Sequence, residues 1–294
     1  MSGVTFNDNA RVGNNTARRR GGTVAAVGGG TVGLGAIVVL LFSFFTGTDL
    51  TGLIGGGGAP AGTSGGGEAL TSCRTGQDAN GDDACRLAAA SLSVDQFWQE
   101  RLEGYTPPQL IIVDGATSTQ CGAASNATGP FYCPPEQTVY VDPTFFALLR
   151  EQYDTTAGPL AQLYVLAHEY GHHVQNLTGV MQQHPANGTG PDSNGVRTEL
   201  QADCYAGAWV AAAGEQVDEN GTPYLEPPTQ QQITDALAAA AAVGDDHIQI
   251  ESGGVVNPES WTHGSSEQRQ RWLDEGRQGG VNACDTFAVS GQNL

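Results

Sequence analysis

The chain has 294 residues, with 31 acidic against 12 basic side chains and a formal charge of −19. It lacks the positive footprint that nucleic-acid binding requires, so no nucleic acid is expected among its partners. The charge is also unevenly placed: Arg11, Arg18, Arg19 and Arg20 face Asp8 alone in residues 1–22, and the remainder is more acidic still.

Residues 1–22 therefore read as a basic cytoplasmic tail. Thr23 to Phe45 follows without a charge, long enough as a helix to cross about 30 Å of hydrocarbon. Basic residues before it and acidic ones after it predict a single-pass cell-membrane anchor, with the N-terminus cytoplasmic and the main domain extracytoplasmic. A retained anchor is preferred to a signal peptide cut near Ala59-Pro60-Ala61, because that site lies far beyond the apolar run. Residues 46–69 are Gly-rich and read as a flexible linker. The folded domain is expected over residues 70–294, a length that suits one core.

Six cysteines (Cys73, Cys85, Cys121, Cys133, Cys204 and Cys284) contain no C-x-x-C pair. An even count beyond an anchor suggests disulfides. Two equal spacings suggest Cys73–Cys85 and Cys121–Cys133, leaving Cys204 with Cys284; free buried thiols are the plain alternative. The segment from Cys85 to Leu102 reads as a helix, with Leu92, Val94, Phe97 and Trp98 as core. Gln109 to Asp114 and Gln137 to Asp142 are β-branched runs that read as strands. Phe145 to Tyr153 reads as a short helix.

The stretch from Leu163 to Leu177 contains His168-Glu169-Tyr170-Gly171-His172, an H-E-x-x-H pattern. On a helix, positions four apart share a face, so both imidazoles can hold one zinc ion, with Glu169 beside the metal as general base. Leu163, Val165, Leu166, Val174 and Leu177 supply an apolar face that would bury this helix. A catalytic zinc needs a third protein ligand. Gln175 and Thr178 occupy the positions where the metzincin layout requires glycine and histidine. The segment from Val196 to Val210 offers Glu199 and, four residues on, Asp203. Glu199 is the expected third ligand. Asp203 is expected to accept a hydrogen bond from the far nitrogen of a ligand histidine. Met181 to Asn194 is a polar loop, and its His184 reads as a surface histidine.

Gln230 to Val243 reads as an Ala-rich helix ended by Gly244. Asp245 and Asp246 read most simply as a solvated helix terminus, with a structural cation as the alternative. Ser265 to Gln268 resembles a capping box, and His263 just before it is the candidate hydrogen-bond donor to an oxyanion. Packing at a helix entrance is its plain alternative. Arg269 and Arg271 read as fold-supporting ion pairs.

The segments GPFYCP (129–134), HEYGHHVQN (168–176), ELQADCYAG (199–207), GDD (244–246) and THGSSEQR (262–269) together resemble the bacterial "putative neutral zinc metallopeptidase" family. That resemblance implies an α+β, zincin-like fold of the gluzincin kind. A small mixed or antiparallel sheet would lie over the H-E-x-x-H helix and a second, glutamate-bearing helix, preceded here by one transmembrane helix. It implies Zn²⁺ on His168, His172 and Glu199, with Glu169 as base. In zincins an edge strand lies above the active-site helix, and Phe131 to Val141 is the candidate for it, an internal strand being the alternative. The expected function is a membrane-anchored, extracytoplasmic zinc peptidase acting on peptides or proteins. A zinc-stabilised, non-catalytic envelope protein is the rival reading. A cysteine hydrolase pairing a thiol with His263 is a third.

Overall fold

The computed structural model describes residues 5–22, 67–152 and 157–294. The expected span over 23–45 lies outside the described residues, as does nearly all of the linker. Among the described helices none is long and apolar enough to cross a membrane.

The described chain is α+β. Its strands are β1 (Arg18–Gly22), β2 (Glu68–Ala69), β3 (Gln109–Thr119), β4 (Gly122–Ser125), β5 (Phe131–Cys133) and β6 (Thr138–Val141). They form one mixed sheet in the order β2-β1-β3-β6-β5, with β4 folded back on the far half of β3. The parallel neighbours β1, β3 and β6 form its centre. Leu110 to Val113 are all buried because both faces of the sheet are covered. Leu110 and Ile112 face the main core, while Ile111 and Val113 pack with Ala124, Cys133 and Tyr140 on the other side. The run read as a strand over 109–114 continues into a hairpin. Of the candidate edge from Phe131 to Val141, only β5 ends the sheet; β6 is internal.

Nine helices are described: α1 (Gly76–Gly81), α2 (Asp83–Gln99), α3 (Phe145–Gln152), α4 (Pro159–Leu177), α5 (Val180–Gln183), α6 (Asn194–Ala212), α7 (Gln230–Ala242), α8 (Asp245–Glu251) and α9 (Ser266–Gly279). The capping box at Ser265 forms as expected and starts α9. Helix α6 lies between α4 and α9 and packs on both. A Cβ on Gly276 would fall 1.8 Å from the Cys204 carbonyl oxygen, so only glycine allows the α6 and α9 backbones to approach this closely. The three disulfides pair as the spacings suggest: Cys73–Cys85, Cys121–Cys133 and Cys204–Cys284. No cysteine is free, which removes the thiol a cysteine hydrolase would need.

The amino-terminal reading requires correction. Residues 5–22 are not a tail apart from the domain. Phe6, Ala10, Val12 and Ala17 are buried in the main core. The Asn80 side chain holds the Phe6 main chain, accepting from its N–H at 3.0 Å and donating to its carbonyl at 2.9 Å. Strand β1 then pairs with both β2 and β3, placing Arg18 beside Ala69 and Ile111. The folded unit thus includes residues on both sides of the 23–66 stretch. The short apolar residues of 5–17 carry no periodic signal. Their burial depends on partners more than fifty residues away.

Candidate metal centre and active site

Helix α4 starts with Pro159 at its first turn, where a missing N–H costs nothing. It is buried along nearly its whole length from Leu160 to Gln175. Gly171, between the two histidines of the motif, lets α6 come close: a Cβ there would meet the Ala202 Cα at 3.0 Å. This approach brings His168 and His172 to Glu199, and the three side chains are all buried. They form the group of potential metal ligands found among the described residues.

The protons of this cluster can be assigned from its partners. His168 Nδ1 lies 2.7 Å from Asp203 Oδ1, an ionised oxygen that can only accept, so Nδ1 carries the hydrogen and Nε2 presents its lone pair. His172 Nδ1 lies 2.8 Å from Gln175 Oε1 and is committed in the same way. The two Nε2 atoms are 3.1 Å apart. Glu199 Oε2 is 3.2 Å from His168 Nε2, and Oε1 is 3.5 Å from His172 Nε2. Three acceptors facing one another without a proton between them call for a cation. Ligands about 2.0–2.1 Å from a tetrahedral zinc stand about 3.3 Å apart, so these spacings and this N,N,O donor set fit Zn²⁺.

The electrostatics show the same demand for positive charge at the cluster, a demand that a proton on His168 meets when no metal is bound. Burial opposes charge on His168, yet Asp203 and Glu199 push it up to about 10. Burial alone would raise Glu199, but the two histidines hold its carboxyl well below the usual range. Asp203 accepts from His168, from Tyr164 at 2.6 Å and from both Nε and Nη2 of Arg269, at 2.8 and 2.9 Å. Against the cost of burial, Arg269 and His168 lower its carboxyl to about 2. Arg269 is thus the fold-supporting ion pair expected, and its particular role is to keep Asp203 charged behind the site.

Glu169 and the ligand residues line a cleft of about 490 Å³. Glu169 is buried, and burial raises its carboxyl above the ordinary value, opposed by the histidines and by a hydrogen bond from the Tyr132 backbone. Strand β5, which carries Tyr132, also lines the cleft, as do Phe145, Leu149, Val165, Val243 and Ile248.

His263 lines the same cleft, with Nδ1 2.8 Å from Thr262 Oγ1 and 3.3 Å from Asp245 Oδ1. Asp245 is buried and is no solvated terminus. Its Oδ2 accepts the main-chain N–H groups of Thr262, His263 and Gly264 at 2.7, 2.7 and 3.0 Å. Although burial disfavours a charged imidazole, Asp245 and Glu199 raise His263 above its ordinary value. Asp246, in contrast, caps α9 through Ser266.

Sequence reasoning missed Asp245, Tyr164 and Gln175 as parts of the site. Tyr164 and Gln175 carry a signal, standing four residues before one ligand histidine and three after the other. Asp245 carries none, because its partners lie 17–19 residues away on a folded loop. His184 is half-buried, lines the cleft and stacks on Phe287 with ring centroids 3.8 Å apart.

Two histidines one turn apart and a glutamate from a neighbouring helix, beside a mixed sheet, form a cluster that could hold a metal ion. The chain belongs to the family described as "Putative neutral zinc metallopeptidase", whose model matches residues 4–287. It is 52% identical over 223 residues to the uncharacterized protein Rv2575 of Mycobacterium tuberculosis, covering 75% of this chain and 76% of that one. It is 37% identical over 272 residues to the uncharacterized protein YpfJ of Escherichia coli, covering 89% and 88%. No solved structure matches.

Proposed function

We propose that the chain is a zinc-dependent peptidase of gluzincin type, with His168, His172 and Glu199 holding the metal and Glu169 as general base. The observation that carries this reading is the convergence of three buried potential ligand side chains on a cleft that Glu169 also lines. A zinc ion held there supplies Lewis acidity, polarising a carbonyl and making water acidic at neutral pH. Glu169 takes the proton from the attacking water and passes it to the leaving amine nitrogen. His263, oriented through Nδ1 by Thr262 and Asp245, donates from its other nitrogen to the oxyanion. An extended peptide would add to β5, the terminal strand beside the cleft. The apolar lining of Phe145, Leu149, Val165, Val243 and Ile248 suits an apolar side chain next to the scissile bond.

A purely structural zinc site would use a fourth protein ligand. Among the described residues the cluster has three, every cysteine is in a disulfide, and His184 stacks on Phe287. These facts favour the enzyme over a zinc-stabilised binding protein. Three disulfides support an oxidising, extracytoplasmic setting for the domain, with residues 5–22 on that same side.

The test compares wild type with Glu169→Gln for bound zinc and for cleavage of a mixed peptide library. Equal zinc in both, with cleavage at least about 10²-fold slower in the variant, supports the reading. Equal zinc with no cleavage by either form would sink it.

A further inference from the structure

The two ligand histidines are backed in different ways. Behind His168 stands a carboxylate neutralised by Arg269. Behind His172 stands a chain of neutral amides. Gln175 Oε1 faces His172 Nδ1 at 2.8 Å, while Gln175 Nε2 donates to the Thr198 carbonyl at 2.7 Å and to Gln201 Oε1 at 3.1 Å. Gln201 Nε2 in turn donates to the Cys284 carbonyl at 2.9 Å. Gln175 and Gln201 are both buried, so exchange of these bonds with water is not open to them.

This chain has one self-consistent direction. The carbonyls of Thr198 and Cys284 can only accept, so each amide must turn its nitrogen toward a carbonyl and its oxygen back toward α4. The oxygen of Gln175 then requires a donor, and His172 supplies Nδ1–H. A flipped Gln175 would set oxygen against the Thr198 carbonyl and leave His172 with its proton on Nε2, the tautomer that cannot ligate through that atom. The relay ends at Cys284, which the disulfide to Cys204 ties to α6, the helix that carries Gln201.

We propose that Gln175, backed by Gln201 and the disulfide-held Cys284 carbonyl, is a positioning residue that fixes His172 in its metal-binding tautomer and thereby sets zinc affinity. The inference rests on the zinc reading of the site but assigns a role that reading does not need. Gln175→Leu removes the oxygen facing His172 Nδ1 and the amide donor to the Thr198 carbonyl and should weaken zinc binding about 10–100-fold, the usual effect of removing a ligand's hydrogen-bond partner. Gln201→Leu should act in the same direction and less strongly. Gln175→Glu keeps an oxygen facing Nδ1 and should bind zinc more tightly than Gln175→Leu. Ser93→Ala is the control for general loosening, since it removes buried hydrogen bonds to Trp209 and Gln216, which lie outside the zinc cluster.

The experiment uses the full chain, stripped of metal and titrated with Zn²⁺ against a competing chromophoric chelator, with Co²⁺ absorption reporting ligand geometry. The expected result is a weakened affinity and altered Co²⁺ bands for Gln175→Leu, partial recovery for Gln175→Glu, and wild-type behaviour for Ser93→Ala. Unchanged affinity in both Gln175→Leu and Gln201→Leu, or an equal loss in Ser93→Ala, overturns the relay while leaving the metal site standing. A wild-type chain that takes up no zinc overturns the metal reading and the relay together.

Discussion

The metal cluster and the amino-terminal segment are both assembled from residues far apart in the chain, yet they depend on different physics. The cluster joins α4 to α6 through side chains of special chemistry, and those side chains stand at fixed helical spacings. The segment 5–22 joins the domain mainly through its own backbone: β1 pairs with β2 and β3, and Asn80 clamps the Phe6 peptide. Side-chain identity therefore announces the first region and barely marks the second. The comparison also separates two kinds of stability, one that a chelator should remove and one that it should not.

The largest expected effect is all-or-none. In the full chain, cysteines introduced as Arg18→Cys and Ala69→Cys should form a disulfide, since these residues are directly paired on adjacent antiparallel strands. Peptide mapping would find the linked pair. Its absence under oxidising conditions would return residues 1–22 to the status of a separate tail.

A smaller, graded effect sets the two regions side by side. Phe6 is fully buried, and Phe6→Ala should cost about 3 kcal/mol, near the lower end for such truncations because the Asn80 bonds to the main chain survive. Urea unfolding should show the same loss with or without chelator. Wild type should itself lose about 4 kcal/mol on chelation when free zinc had been 1,000-fold above its dissociation constant, and Glu199→Ala should not respond. A Phe6→Ala loss that disappears with chelator would mean that the segment acts through the metal site.

A further effect is a pH dependence from Asp95 on α2. Burial pushes its carboxyl up to about 7, against the hydrogen bond it accepts from Tyr105 at 2.7 Å. The ordinary value is about 3.9, so the folded chain holds the proton that the unfolded chain releases. Asp95 therefore contributes stability that is complete below about pH 4 and is lost as pH rises through about 7. Metal-free Asp95→Asn should show a flatter stability profile across that window. An unchanged profile would place the titration elsewhere.

Much of the candidate site was legible because helices convert sequence spacing into direction. His168 and His172, four apart, and Glu199 and Asp203, four apart, must each share a face, and the long helices that carry them lie within two residues of the expected limits at all but the start of α4. The capping box at Ser265 was legible for the same local reason. Equal cysteine spacings pointed to two disulfides, and elimination gave the third.

Asp245 shows where legibility stops. Its sequence position suggests a helix terminus, and it does begin α8, but its carboxylate is occupied by the three amides and the imidazole of the loop that carries His263. No local pattern encodes that meeting. The amide relay from Cys284 to His172 depends likewise on the packing of α4 against α6.

By itself, the sequence determined which histidines share a face, the carboxylate between them, the glutamate helix and the disulfide pattern, because each follows from short-range geometry and residue chemistry. Only the tertiary structure decided that residues 5–22 belong to the domain, with Arg18–Gly22 as a strand of its sheet, and that Asp245 orients His263. Backbone pairing and buried carboxylates are satisfied by whichever partners the fold brings near, and those partners leave no periodic trace in the chain.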